Sequence, residues 1–545
     1  MSGQCAAGQS ETVTITVDTN GLNNGQYQTI IPIHSPETST KNYSVYLTVY
    51  TSREIHVPRD YSTIQAAINA ALTGDIIIVH PGKYAGFTVS KSVLTIQSID
   101  PGNPAIAAAT IIESPVSSIS GAAIVGTKIK GLSFICNRPI PDISTPGLAL
   151  ADAQIENCRV MNFPGTGMVL SGTYSSATVR NCLIMNNGWA SDYRHGGGIS
   201  IGGYVNIDNC VIAGNFRGGI MYGTSNNWLD INNTTIAGNY SSPAKTSGYA
   251  IAPSYQKADM DLTIRNSVLS NRIGPNDFEI ISAIGTNNID IEYSNIKGGQ
   301  AGIYMPIDGV LPSDTIIWGQ GNIDIDPCFA RTNGWLDNNT PSDANDDMYI
   351  GGDYHLKSAA GRWEWNKLMD MDAQGDGFFD TQDFAVLASE WQKTSAKQIV
   401  NSYPYYQYLR ADLDRSGRVD LADLIIFCEN YLNHYDVGRW VYDDVNSACI
   451  DAGDPNSDWT KELWPHGKRI NMGAYGGTPE ASMSPSAVGN IADIDNSGMV
   501  DVNDLKLFVQ QWLEKGIFIR GDLDLNLTVN FIDFSIFAEN WAWQE

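Results

Sequence analysis

Gln154-Ile-Glu-Asn-Cys158 returns along the chain as Thr178-Val-Arg-Asn-Cys182, Asn206-Ile-Asp-Asn-Cys210, Asp230-Ile-Asn-Asn-Thr234 and Thr263-Ile-Arg-Asn-Ser267. Lys128-Ile-Lys-Gly131 precedes the series and Asp290-Ile-Glu-Tyr293 follows it. The apolar anchors Ile129, Ile155, Val179, Ile207, Ile231, Ile264 and Ile291 therefore stand 24 to 33 residues apart, the self-similarity of a repeat architecture. A second rung follows, usually just after glycine, as Met168-Val-Leu170, Ile199-Ser-Ile201, Ile220-Met-Tyr222, Ile251 and Ile303-Tyr-Met305. Each unit has short alternating stretches and no helical period, so it cannot bury its apolar face alone and must stack on its neighbours. A coil of parallel strands does this, with one strand spacing of about 4.8 Å per turn.

The recurring Asn157, Asn181, Asn209, Asn233 and Asn266 suit a tight bend between rungs, because Asn tolerates the left-handed backbone. Stacked side chains at these positions predict an amide ladder. Cys158, Cys182 and Cys210 share one inward column with Thr and Ser and read as small buried hydrophobes without chemistry. The eight cysteines form no CxxC or Cys/His pattern, so zinc is not expected. Ser62-Thr-Ile-Gln65 reads as a capping box ahead of a helix carrying Ile64, Ala67, Ile68, Ala71 and Leu72, stopped at Gly74. Such a helix would cover the open end of the coil.

The run from Val57 to Ala71, continuing Gly74-Asp-Ile-Ile-Ile-Val-His-Pro-Gly-Lys-Tyr84, resembles the N-terminal cap of right-handed parallel β-helix proteins of the pectin-lyase-like superfamily. The Asn-Cys/Thr-x-Ile coils extend the resemblance, and Cys449-Ile-Asp-Ala-Gly-Asp-Pro455 with Ile470-Asn-Met-Gly-Ala-Tyr-Gly-Gly477 resembles the closing segment of such proteins. What it implies is an all-β chain with polysaccharide lying along one face of the coil. Residues 1–52 alternate apolar and polar and read as an N-terminal β-sandwich fragment.

Four acidic stretches add a second pattern: 372–383, 412–423, 493–504 and 522–533. Oxygen-bearing side chains recur at the first, third, fifth, ninth and twelfth positions, and glycine is sixth in three of the four. This is the spacing with which a twelve-residue loop wraps Ca²⁺; the other reading is a solvated acidic turn. The candidate ligands are Asp372, Asp376, Asp380 and Asp383; Asp412, Asp414, Ser416, Asp420 and Asp423; Asp493, Asp495, Ser497, Asp501 and Asp504; and Asp522, Asp524, Asn526, Asn530 and Asp533. Gln374 replaces a carboxylate in the first loop and Leu527 the glycine of the fourth, so both are expected to bind weakly. Apolar residues one and four places past each loop, and an aromatic eight places past it (Trp391, Tyr431, Trp512, Trp541), predict a helix with one buried stripe. Asp at the twelfth position and the missing incoming helix before Asp493 resemble dockerin modules, whose implied partner is a cohesin. The positions where such modules usually carry hydroxyls hold Thr381/Gln382, Leu421/Ala422, Val502/Asn503 and Phe531/Ile532, which leaves another cell-surface protein, or stabilisation within the chain, as open as a cohesin-like partner.

The expected organisation is 1–52, sandwich-like; 53–364, parallel β-helix with its cap helix; 365–436, an inserted dockerin-like calcium module; 437–486, the closing segment; and 487–545, a C-terminal dockerin-like module. The insertion is inferred from Gly361-Arg-Trp363 before it and Gly438-Arg-Trp440 after it. A net charge of −26 argues against nucleic acid and suits a calcium-rich extracellular setting. No apolar run approaches the roughly 20 residues of a membrane span, and the N-terminus lacks a basic and apolar leader. The expectation is a secreted or cell-surface protein in mature or trimmed form.

The loops entering the glycine-led rung are long after Asn181 and after Asn233, with a short one ending at Arg217 between them, two walls around a floor. Asp192, Arg194, His195, Arg217 and Lys245 are the candidate catalytic residues, and Trp189, Tyr193 and Tyr249 the candidate substrate-binding ones. A lyase acting on uronic acids needs a cation to neutralise the sugar carboxylate and a base for the α-proton, whereas a hydrolase needs two carboxylates flanking the bond. The set favours lyase-type β-elimination of a bound polysaccharide. The alternative is a non-catalytic surface, adhesion or matrix protein using the coil as a rigid scaffold.

Overall fold

The computed structural model describes residues 22, 25–35, 38–49, 51–113, 116–118, 126–136, 146–188, 197–223, 227–240, 248–254, 257–271, 277–305, 315–336, 348–396, 398–400, 403–405, 407–486 and 488–545. The anchors form one unbroken parallel column: Ile129 faces Ile155, and the pairing runs on through Val179, Ile207, Ile231, Ile264 and Ile291. It continues beyond the repeat, back through Ile96, Ile77 and Ile55 and on to Trp318. The second rung pairs Leu148, Met168, Ile199, Ile220, Ile251, Ile280 and Ile303. The third stacks Phe134, Val160, Ile184, Ile212, Ile236, Leu269 and Ile296. All three columns point into one core, and each fully buried aliphatic side chain contributes about 1.5–3 kcal/mol.

The helix Ile64–Ala70 buries Ile64, Ala67 and Ile68 against this core. Its cap is Thr63, whose hydroxyl accepts from the Ala66 N–H at 3.1 Å, and not Ser62 as the capping box predicts. Gln65 is used elsewhere, bonding both backbone groups of Thr88. In the N-terminal segment the described strands Gly25–Ser35 and Thr38–Val49 form a two-stranded antiparallel ribbon; residues 1–21 lie outside the described ones.

The predicted amide ladder is in a different place. Asn157, Asn181, Asn209, Asn233 and Asn266 all have positive φ, 43 to 54°, as their bend requires, but three of them turn their amides to the closing segment. Asn209 Nδ2 donates to the Ala474 and Gly476 carbonyls, Asn233 Nδ2 to Gly476, and Asn266 Oδ1 accepts from the Asp454 N–H at 2.6 Å. The cysteine column also does more than fill space: backbone N–H groups of Cys158, Cys210, Thr234 and Ser267 donate to Cys182, Thr234, Ser267 and Ser294 on the next coil. Burial holds the Cys158 and Cys182 thiols well above their ordinary pKa, so they are unreactive.

Strands Arg362–Trp365 and Gly438–Val441 pair antiparallel, Trp363 opposite Trp440. The chain between them packs Leu368, Met371, Phe379, Leu387 and Phe427 with Ala105 and Ala108 of the coil helix Pro104–Ala109. Asp370 anchors it, accepting from Arg159 of the coil (2.8 Å), Lys367 (3.0 Å) and the Tyr408 hydroxyl. Residues 488–545 have a separate core of Ile494, Val500, Phe508, Val529 and Phe537.

Candidate functional site

The turns that enter the glycine-led rung are held from inside by an asparagine ladder. Asn187 Nδ2 donates to Asn215 Oδ1 at 3.0 Å, Asn215 to Asn239 at 2.9 Å, and Asn239 to Asn271 at 2.8 Å; Asn271 ends on Glu279 Oε2 at 2.8 Å. The backbone N–H of each asparagine donates to the next side chain as well. All five residues are buried, so a polar network with its amides paired fixes the turn geometry at its base. Their spacing varies between 24 and 32 residues along the ladder, because each surface loop differs in length while the buried rung does not.

Arg217 and Tyr249 stand on this floor. Arg217 has φ +68°, uncommon for a residue with a side chain and the kind of backbone strain that clusters at functional sites. Its N–H donates to the Tyr240 carbonyl at 2.6 Å, and its guanidinium lies 5.3 Å from the Phe216 ring centre. Its Nε is buried without a hydrogen-bond partner, a donor desolvated and unspent. Gly218, at φ +96°, makes room for Tyr249: a Cβ there would lie 2.2 Å from the tyrosine ring. Burial raises the Tyr249 hydroxyl pKa, and the Arg217 charge offsets part of the rise, so the hydroxyl is a proton donor near neutrality. The structure thus brings Arg217 and Tyr249 together. Trp189, Asp192, Tyr193, Arg194, His195 and Lys245 lie outside the described residues.

The acidic loops share one construction. The ninth-position residues Asp380, Asp420, Asp501 and Asn530 are helix N-caps, each in a capping box with the twelfth-position Asp383, Asp423, Asp504 or Asp533. First-position carboxylates take backbone N–H groups of their own loop, as Asp493 does from Ser497 and Gly498 at 2.9 Å. The ligand oxygens of Asp412, Asp414 and Asp423 lie within 4.8 Å of one another, as do those of Asp493, Asp495 and Asp504, and of Asp522, Asp524 and Asp533. Asp412 is only 8% exposed, and its Oδ1 has no hydrogen-bond partner. Burial pushes Asp412 and Asp522 up to about 6 and raises Asp423, Asp493 and Asp504 as well. Crowded, desolvated carboxylates with a spare oxygen fit a hard dication. Ser416 and Ser497 sit over their own loops, hydroxyls on the Arg418 and Met499 carbonyls. Asn526 donates to Asp524.

The two atypical loops part company. Leu527 adopts φ +68° where Gly377, Gly417 and Gly498 have 81 to 86°, and its loop keeps the carboxylate triad. In the first loop Gln374 Nε2 donates to Asp380 Oδ2 at 3.1 Å and the Tyr435 hydroxyl to Asp372 Oδ2 at 3.0 Å, so side-chain hydrogen bonds take up oxygens at the loop's first and ninth positions. Asp376 is exposed and accepts the Phe378 N–H. The helix stripe also differs from expectation: Leu387, Phe427, Phe508 and Phe537 are buried, whereas Trp391, Tyr431 and Trp541, at the helix ends, are 37 to 49% exposed.

A separate cleft of about 540 Å³ opens where the inserted segment meets the coil, lined among others by Arg159, Trp365, Asp370, Tyr475, Glu480 and Phe518. Arg159 is matched there to Asp370, and Glu480 to both His355 and the Trp365 indole, while Arg415 donates to the Trp365 carbonyl at 3.3 Å.

Residues 137–275 match the family model described as the right-handed beta helix region. No curated protein matches the sequence. Among solved structures the chain is similar to the pectate lyase Pel9A, with 13% identity, 78% of this chain and 95% of that one covered, and a TM-score of 0.37. It is also similar to the family PL6 alginate lyase AlyGC, with 14% identity, 53% and 54% covered, and a TM-score of 0.27; the chain spans about half of that enzyme. A Yersinia enterocolitica family 28 exopolygalacturonase gives 12% identity, 56% and 71% covered, and a TM-score of 0.19. The matched region falls within the coils whose strands stack in parallel register, and the fold there is a right-handed parallel β-helix.

Proposed function

We propose that this chain is a secreted or cell-surface, calcium-binding β-helix protein that binds an acidic polysaccharide over Arg217 and cleaves it by β-elimination. The observation that carries the reading is Arg217 itself, a cation on the groove floor with a desolvated N–H that has no acceptor. A uronate carboxylate pairs with the Arg217 charge, and its neutralisation acidifies the α-proton. A base removes this proton, the bond from the neighbouring carbon to the glycosidic oxygen breaks, and the departing oxygen takes a proton. Tyr249, held protonated, suits the last role; His195 and Lys245 are the candidates for the base, Asp192 and Arg194 the other catalytic candidates, and Trp189 and Tyr193 the candidate sugar contacts.

The same proposal assigns Ca²⁺ to 412–423, 493–504 and 522–533, and only weakly to 372–383. It treats 365–436 and 487–545 as dockerin-like modules. Their outward residues Leu421, Val502, Phe531 and Ile532 are 55 to 77% exposed, an apolar surface suited to a cell-surface protein other than a hydroxyl-reading cohesin.

Incubation with a panel of polyuronides and neutral glycans in calcium, reading unsaturated products and new reducing ends, tests the activity. Unsaturated products that fall at least about a hundredfold in Arg217→Ala, a loss of about 2.7 kcal/mol in transition-state stabilisation, are expected. No product from any polyuronide overturns the lyase reading and leaves the scaffold alternative.

A further inference from the structure

The outer face of the coil carries a second feature that the groove does not use. Tyr204 and Trp228 face each other on adjacent parallel strands, Ile199–Asp208 and Asn227–Asn232. Their ring centres are 5.0 Å apart at 44°, and each residue is 48% exposed. An aromatic pair of this size normally earns its place by burial; here the rings lie on the solvent side of a finished core. The register continues the column as Asp261, Asn288 and Thr315. These three are linked in series: Asn288 Nδ2 donates to Asp261 Oδ1 at 2.5 Å, and Thr315 Oγ1 donates to Asn288 Oδ1 at 2.8 Å. The linkage orients all three and leaves Asp261 Oδ2 and the second Asn288 N–H for an external partner.

We infer that this column is a binding strip for a single neutral polysaccharide chain, separate from the groove and standing without it. The two rings offer flat apolar surface for the C–H faces of consecutive sugar rings, and the polar end offers a fixed acceptor, amide and hydroxyl for their hydroxyl groups. The spacing fits a polymer: successive coils are about 4.8 Å apart, close to the length of one extended pyranose unit, so the five positions span roughly 19 Å and address successive sugars. Charge selects the class. Asp261 lies in the strip, Asp230 and Asp290 stand in the next outward column, and Arg265, in the column beyond, is bonded to Asp290 and Glu292. Such a surface repels a polyuronide and accepts an uncharged chain.

Affinity electrophoresis of the full chain through gels containing mannan, xylan, a soluble β-glucan or polygalacturonate tests this. Retardation by at least one neutral glycan is expected, weakened at least about tenfold (1.4 kcal/mol) by Trp228→Ala, abolished by Trp228→Ala with Tyr204→Ala, and kept within a few-fold by Trp228→Phe. Both rings are half-exposed, so the melting temperature, measured alongside, should not move. Polygalacturonate retardation in the same gels reports the groove, so failure of one site is distinguishable from failure of the other. No neutral retardation of the wild type, or retardation unchanged in the double variant, overturns the inference.

Discussion

The two loop–helix pairs repeat the same caps, the same helices and the same aromatic at each helix end, yet they are joined to the chain by different chemistry. The inner pair shares its core with Ala105 and Ala108 of the coil and is fixed by Asp370 between Arg159, Lys367 and Tyr408. The outer pair builds a core of its own. It reaches the rest through Phe518 against Trp363, Trp365 and Trp440 and through a Lys468–Glu545 ion pair. The same acidic loop therefore stands in two settings: in the inner pair it adds to a structure already fixed by other contacts, and in 488–545 the loops and their helices build the core themselves.

The largest expected effect is at Asp370. Asp370→Asn leaves Arg159 and Lys367, both largely shielded from water, with their charge unmatched, and breaking a fully buried site of this kind costs about 3–5 kcal/mol; equilibrium denaturation should show a loss approaching this, with 365–436 exposed to protease. A loss below 1 kcal/mol would remove the asymmetry between the pairs. Loss of calcium from any one site should come next, and act in the opposite place. Each site filled at a hundred times its dissociation constant stabilises by about 2.7 kcal/mol, so removing the ion should open 488–545 to proteolysis before 365–436. Simultaneous opening would break the comparison.

Raising the pH should have a smaller effect, centred on the segment between the pairs. His355 is buried with its two ring nitrogens on Asp353 (2.6 Å) and Glu480 (2.9 Å); despite the opposing effect of burial, these carboxylates raise its pKa from 6.5 to about 9. Its stabilisation is fully present below about 6.5 and is lost as the pH rises through about 9. Burial lifts Glu462 to about 8, so it is protonated in the fold and its ionisation also costs stability as the pH rises from 4.5 to about 8. The melting temperature should fall between pH 6.5 and 9, and His355→Gln should flatten that slope. The smallest effect is the most specific: Gln374→Asp removes the amide donor from the first loop and should raise the calcium stoichiometry by one, read by calorimetry, with stability changing by about 1 kcal/mol or less.

What the sequence made legible was whatever the winding repeats. The anchors Ile129 to Ile291 fall into one register because each coil must return to the same place in the core, and the bends at Asn157 to Asn266 show left-handed backbone because the same turn is made each time. The ladder from Asn187 to Asn271 carried the same signal, since its members stand five or six places after the bends Asn181, Asn209, Asn233 and Asn266; which of the two asparagine series pairs its amides was legible only in the structure. Arg159 and Asp370 were beyond reach for another reason: they are 211 residues apart, and no local pattern announces that partnership. Tyr204 and Trp228 left a usable signal, as each stands three places before an anchor, Ile207 and Ile231, so their adjacency followed from the repeat already recognised. In the acidic loops the spacing located the carboxylates, but only the geometry separated Leu527, which keeps the cluster, from Gln374, which replaces it with hydrogen bonds.

The asparagines that bend the coil also take the backbone of the closing segment, and this makes that segment a gauge of the winding. Asn209, Asn233 and Asn266 offer their amides at fixed intervals, and the Ala474, Gly476 and Asp454 backbone groups meet them at 2.5 to 2.9 Å. A slip of one coil moves every peg by about 4.8 Å, beyond hydrogen-bond reach. The closing segment can therefore seat only on a coil wound in this register, and its hydrogen bonds report that the winding is correct.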